Sequence, residues 1–155
     1  APVEYGRGEI LYEEKDIALL AVGSMVSTGE HVREKLKAEG WNCTLANGRF
    51  VKPFDEELVD RLAKNHWLVV TMEENVLQGG YGLMVTRYIH EHYPHVKVMN
   101  IAIPDGYVEH GNVSLLRKGL GIDSDSVIWR MKKEYLDTER QNMEWKTINT
   151  EEKKA

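Results

Sequence analysis

Cysteine is nearly absent: the 155-residue chain has one, Cys43. A single thiol cannot close an internal disulfide, and it leaves no cysteine-rich zinc set. Long apolar runs are missing too, and none approaches the roughly 20 residues that span a bilayer. Ala1–Gly8 lacks the apolar stretch that opens a secretion signal. Basic charge is in deficit, with 20 Lys plus Arg against 25 Asp plus Glu, for a net charge of −5. The deficit lies in residues 1–129, which carry 13 basic and 19 acidic side chains, against 7 and 6 in the remainder. With no basic stripe, neither nucleic acid nor a membrane is expected as principal partner. There is no internal repeat. What is present is 42% hydrophobic residues against 29% charged, enough for a globular core. The length gives room for one ordinary domain, and a cytoplasmic location is expected.

Ala1–Gly8, with a proline and two glycines, reads as a linker or a truncated inter-domain segment. Residues 9–135 read as the folded domain and 136–155 as a polar tail. Glu9–Tyr12 is a short strand candidate. Ile17–Val22 is a continuous apolar run, the mark of a strand covered on both faces. Met25–Glu39 places Val32 and Leu36 four apart on one helix face, and Gly40 suits the stop. Cys43–Ala46 is a further buried strand. Asp55 is an N-cap candidate, with Glu56 and Glu57 in the first turn and Leu58, Leu62 and Ala63 as the inward stripe. Trp67–Met72 is the third central strand, and Gly79–Gly82 leads into a helix ending at Tyr93 before Pro94. Val96–Ile103 is the next strand, followed by a turn-rich stretch, a short helix near Val113–Lys118 and another from Ser124. Thr138–Ala155 reads as a frayed helix or a disordered tail. Strands alternating with helices predict an α/β domain with a mainly parallel sheet.

Several groupings could carry chemistry. Gly79, Gly80 and Gly82 stand between a strand and a helix, where backbone N–H groups can cradle phosphate. The motif lacks the lysine of a P-loop, and close helix–sheet packing explains the glycines equally well. Glu73 and Glu74 end a strand, where an open parallel sheet presents functional groups. Successive strand residues point to opposite faces, so solvated or interface-facing carboxylates are the expectation. His90 and His92 stand about 200° apart on a helix and cannot share a metal. Cys43, with no basic residue within five positions, reads as a small core residue and not a nucleophile. Asp105, Glu109 and His110 follow a strand end and place an acid–imidazole pair in one loop.

Three segments stand in order: Asn47-Gly48-Arg49-Phe50-Val51-Lys52-Pro53-Phe54-Asp55, then Glu73-Glu74-Asn75-Val76-Leu77-Gln78-Gly79-Gly80-Tyr81-Gly82, then Ile103-Pro104-Asp105 with Val108-Glu109-His110-Gly111. Together they resemble the C-terminal domain of the 1-deoxy-D-xylulose-5-phosphate synthases, in the transketolase-like, thiamine-diphosphate-dependent group. The resemblance implies a three-layer α/β/α domain with a five-stranded mixed sheet, order 1-3-2-4-5, its first strand antiparallel. For the full-length enzyme it implies condensation of pyruvate with glyceraldehyde 3-phosphate, feeding isoprenoid, thiamine and pyridoxal synthesis. Thiamine diphosphate and magnesium are then held by two other domains, in a homodimer. The group's Gly-Asp-Gly motif is absent from this chain, so no catalytic, cofactor or metal residue carries over.

The implied strand order puts Ser24, Arg49, Glu74 and Asn75 at the switch point of the sheet. They are expected to line a crevice for docking other domains or a second subunit. Two alternatives stand beside this reading. One is a free-standing Rossmann- or flavodoxin-like module holding a phosphorylated ligand at Gly79–Gly82. The other is the partner-docking domain of a 2-oxoacid dehydrogenase β-subunit.

Overall fold

The computed structural model describes residues 6–49, 54–76, 80–103, 118–119 and 121–154, and only the backbone of 75, 76, 153 and 154. Its strands are β1 (Glu9–Tyr12), β2 (Asp16–Ala21), β3 (Cys43–Asn47), β4 (His66–Val76) and β5 (Lys97–Ile103). Between them lie helices α1 (Met25–Ala38), α2 (Glu56–Asn65) and α3 (Tyr81–His92). A further helix α4 (Ser124–Met131) passes through a π-helical turn, Lys132–Leu136, into α5 (Asp137–Lys154).

The sheet order is β1-β3-β2-β4-β5, with β1 antiparallel to β3 and the other pairs parallel. The expected mixed sheet is the one observed. Its period-two alternation divides the core. Ile17, Leu19, Leu45, Val70 and Met72 face one way, against Val32 and Leu36 of α1 and Val127 and Met131 of α4. Ala18, Leu20, Ala46 and Val69 face the other way, against Leu58 and Leu62 of α2 and Val85 and Ile89 of α3. From β2 the chain steps outward to β3 through α1; from β4 it steps the opposite way to β5 through α3. Right-handed crossovers in opposite directions require helices on opposite faces, as found.

Asp55 caps α2 as expected, its Oδ1 accepting from the Leu58 amide at 3.1 Å, a contact worth about 1 kcal/mol. One boundary differs from the sequence reading, and one choice it left open is decided. β4 runs on from Met72 to Val76, because Val76 pairs with Ile103 beyond an irregularity in the ladder. The tail is a helix: no glycine or proline interrupts the chain after Gly121. Arg140 ties its start to the body, donating to the Glu39 carbonyl at 2.9 Å and lying 5.0 Å from the Trp41 ring. The helix expected near Val113–Lys118 falls mostly outside the described residues.

Candidate functional site

β2 and β4 are neighbours at the middle of the sheet, and connections from their C-terminal ends diverge there. This is where an open α/β sheet forms its crevice. The Val22 amide donates to the Met72 carbonyl at 3.0 Å, which holds the two ends side by side. Ser24 precedes α1 with helical backbone angles, φ −65° and ψ −17°, and makes no side-chain cap. Its hydroxyl donates instead to Glu74 Oε2 at 2.6 Å. Ser24 and Glu74 are therefore brought together on the exposed lip of the crevice.

Arg49 is not part of that lip. Its φ of +47° is held by an Asx-type contact, the Arg49 amide donating to Asn47 Oδ1 at 2.9 Å. The guanidinium then pairs with Glu9 on the edge strand β1. The expected four-residue crevice is thus divided between the switch point and the sheet edge. Asn75 continues the β4 backbone.

Glu73 corrects the expectation of a solvated or interface-facing carboxylate: its relative exposure is 0%. Alternation along β4 turns it inward beneath the start of α3 while Glu74 turns outward. Its Oε1 accepts from the Tyr81 amide at 3.0 Å and its Oε2 from the Gly82 amide. Burial raises the Glu73 pKa, and these two N–H groups oppose that shift by stabilising the anion. A carboxylate from the preceding strand therefore occupies the helix N-terminus. A phosphate at Gly80–Gly82 would meet that carboxylate, which weighs against the phosphate-binding alternative.

Gly82 is needed for close approach. A Cβ there would lie 2.7 Å from Glu73 Oε2, 2.7 Å from Thr71 Oγ1 and 2.8 Å from Asn100 Oδ1. Those groups belong to one network tying β4, β5 and α3. The Thr71 hydroxyl donates to Asn100 Oδ1, Asn100 Nδ2 donates to Thr86 Oγ1 at 2.9 Å, and Thr86 donates to the Gly82 carbonyl at 2.8 Å. Gly80 is the extended N-cap residue of α3. The Tyr81 ring is wholly buried, and its hydroxyl has no hydrogen-bond partner among the described residues. Sequence reasoning missed this network; a glycine at the second helical position was its one visible trace.

Cys43 is a core residue. Burial pushes its thiol up to about 12, so no thiolate forms near neutrality. His92 stacks on Tyr88 with ring centroids 4.2 Å apart. Gly79, Asp105, Glu109 and His110 lie outside the described residues. What the described crevice contains is a surface hydroxyl–carboxylate pair over a buried, fully engaged carboxylate. No nucleophile–base pair is assembled among the described residues there.

The profile of the family described as "Transketolase, C-terminal domain" matches residues 6–127. A 1-deoxy-D-xylulose-5-phosphate synthase from Lachnoclostridium phytofermentans is 49% identical over 125 residues, which are 80% of this chain and 20% of that protein. The synthase of Heliobacterium modesticaldum is 40% identical over 138 residues, covering 89% of this chain and 21% of that protein. The chain therefore spans about a fifth of the length of these curated relatives. Among solved structures, a split-gene transketolase in an inactive β4 tetramer superposes with a TM-score of 0.79 at 30% identity, covering 86% of this chain and 43% of that one. A Pichia stipitis transketolase, at 17% identity and a TM-score of 0.59, shares the fold over 81% of this chain and 17% of its own. With strand order, family match and the synthase relatives agreeing, the chain belongs to the transketolase C-terminal domain family, in the form carried by 1-deoxy-D-xylulose-5-phosphate synthases.

Proposed function

We propose that this chain is the non-catalytic C-terminal part of an enzyme that condenses pyruvate with glyceraldehyde 3-phosphate in the cytoplasm. Its role is to pack against the other domains of the same enzyme and to stabilise a homodimer. The 49% identity to a synthase over most of the chain carries this reading. Thiamine diphosphate and magnesium belong, in this reading, to the other domains. The residues described here do not fit the cofactor: Gly-Asp-Gly is missing from the sequence, and the α3 N-terminus already holds Glu73. The Ser24–Glu74 lip is the proposed docking surface, with Arg49 and Glu9 on a separate, edge-facing patch. Domain limits of 9–135, with an inter-domain segment before and a polar tail after, complete the proposal.

Calorimetric titration of this chain with thiamine diphosphate, a flavin and a nucleotide tests it. No heat of binding is expected from any of the three. Micromolar binding of flavin or nucleotide would replace this reading with the free-standing module.

A further inference from the structure

The segment just before β1 is joined to the body more firmly than a linker needs. The Gly8 amide donates to Asp55 Oδ2 at 2.8 Å, while the other oxygen of the same carboxylate caps α2 by accepting from Leu58 N at 3.1 Å. Asp55 is 6% exposed, so both contacts are sheltered from competing water. A Cβ on Gly8 would lie 2.6 Å from the Asn47 carbonyl oxygen and 2.6 Å from Leu58 Cδ2. Only glycine brings the backbone this close to the end of β3 and the first turn of α2. Arg7 adds an ion pair with Glu57 and stands 3.8 Å from Asp55 Oδ1. Gly6, at φ 78°, turns the chain in the left-handed region immediately before this anchorage. Glu9 then pairs with Asn47, so no slack residue separates anchor from sheet.

We infer that Gly6–Gly8 is a fixed junction latched by Asp55, which sets the direction in which the preceding polypeptide leaves the domain. The partner so positioned is the upstream part of the same chain, which departs from beside the first turn of α2, where Arg7 and Gly8 are held. That identification of the partner rests on the proposed function; the latch itself does not. One carboxylate thus has two tasks, starting α2 and orienting what comes before.

Asp55→Asn separates the tasks. Its amide oxygen can still cap α2, since asparagine is as good an N-cap as aspartate. Its NH2 group cannot accept from the Gly8 amide. Amide hydrogen exchange, read by NMR on the 155-residue chain, is the test. In the unmodified chain the Gly8 amide should be protected. In D55N it should exchange about tenfold faster or more while the Leu58 amide stays protected. Asp55→Ala should expose both amides. A Gly8 amide exchanging at the unfolded-chain rate in the unmodified protein, or unchanged in D55N with Leu58 still protected, would overturn the latch. If D55N exposes Leu58 as well, Gly8→Ala supplies the second arm: accelerated exchange at Arg7 and Glu9 with Leu58 protected supports the latch, and unaltered exchange refutes it. Synthase activity after joining upstream domains tests the partner separately, because its absence leaves the exchange result standing.

Discussion

Gly82→Ala sets two physical expectations against each other. Helix propensity favours the substitution by about 1 kcal/mol, because alanine loses less backbone entropy than glycine. Packing opposes it, since the methyl group would fall within 2.8 Å of three oxygens that are themselves hydrogen-bonded. Overpacking of this kind costs about 1–3 kcal/mol. Moving α3 outward to relieve it weakens the bond from the Gly82 amide to the buried Glu73 carboxylate, a further loss of about 1–3 kcal/mol. The net expectation is a destabilisation of about 1–5 kcal/mol. For a domain of this size that lowers Tm by about 2–20 °C. Urea denaturation of the two proteins, with the m-value compared, is the assay. Adding Thr71→Ala removes one of the three oxygens and should recover part of the loss, a coupling visible in a double-mutant cycle. A Gly82→Ala protein as stable as the parent, or more stable, would refute the close-approach account of this glycine.

Glu73 makes a prediction about pH. Because burial raises its pKa in the folded state, the folded chain keeps this proton to higher pH than the unfolded chain does. Its contribution to stability is therefore fully present below the unfolded value and falls as pH rises through the folded value. The parent's urea midpoint minus that of Glu73→Gln should decline as pH rises above the ordinary glutamate range, and a difference that rises would contradict the assignment. Cys43, raised to about 12 by burial, should resist Ellman's reagent in the folded chain and react once urea unfolds it; rapid reaction without denaturant would count against its placement. Glu74→Lys, introduced into a full-length synthase carrying this domain, should weaken the dimer about tenfold or more by removing the Ser24 contact and reversing a lip charge. An unaltered dimer dissociation constant would remove the lip from the interface.

Much of the fold is legible in the residues because the strongest signals are local. Ile17–Leu20 is apolar without alternation, as a strand buried on both faces must be, and all four residues are fully buried. Asp55 followed by two glutamates announces the start of α2, and the cap is where expected. The site was less legible, because its contacts join residues far apart in sequence. Two adjacent glutamates at a strand end look equally solvated; only the packing of α3 decides that Glu73 turns inward. The strand order alone groups Arg49 with Ser24 and Glu74, whereas the register of β1 against β3 places Glu9 beside it. The second oxygen of Asp55 reaches Gly8 across 47 positions, which no local pattern signals. The tail's polar composition left frayed helix and disorder equally open, and the helix is anchored by Arg140 at a carbonyl 101 residues away.

The measurement closest to the centre of the account is a replacement experiment. This chain takes the place of the matching fifth of the Lachnoclostridium phytofermentans synthase, to which it is 49% identical. Turnover of pyruvate and glyceraldehyde 3-phosphate is then followed for the hybrid and for the 155-residue chain alone. The account predicts a dimeric, active hybrid and no turnover by the chain alone. Turnover by the isolated chain, or a folded hybrid that neither dimerises nor reacts, would contradict it.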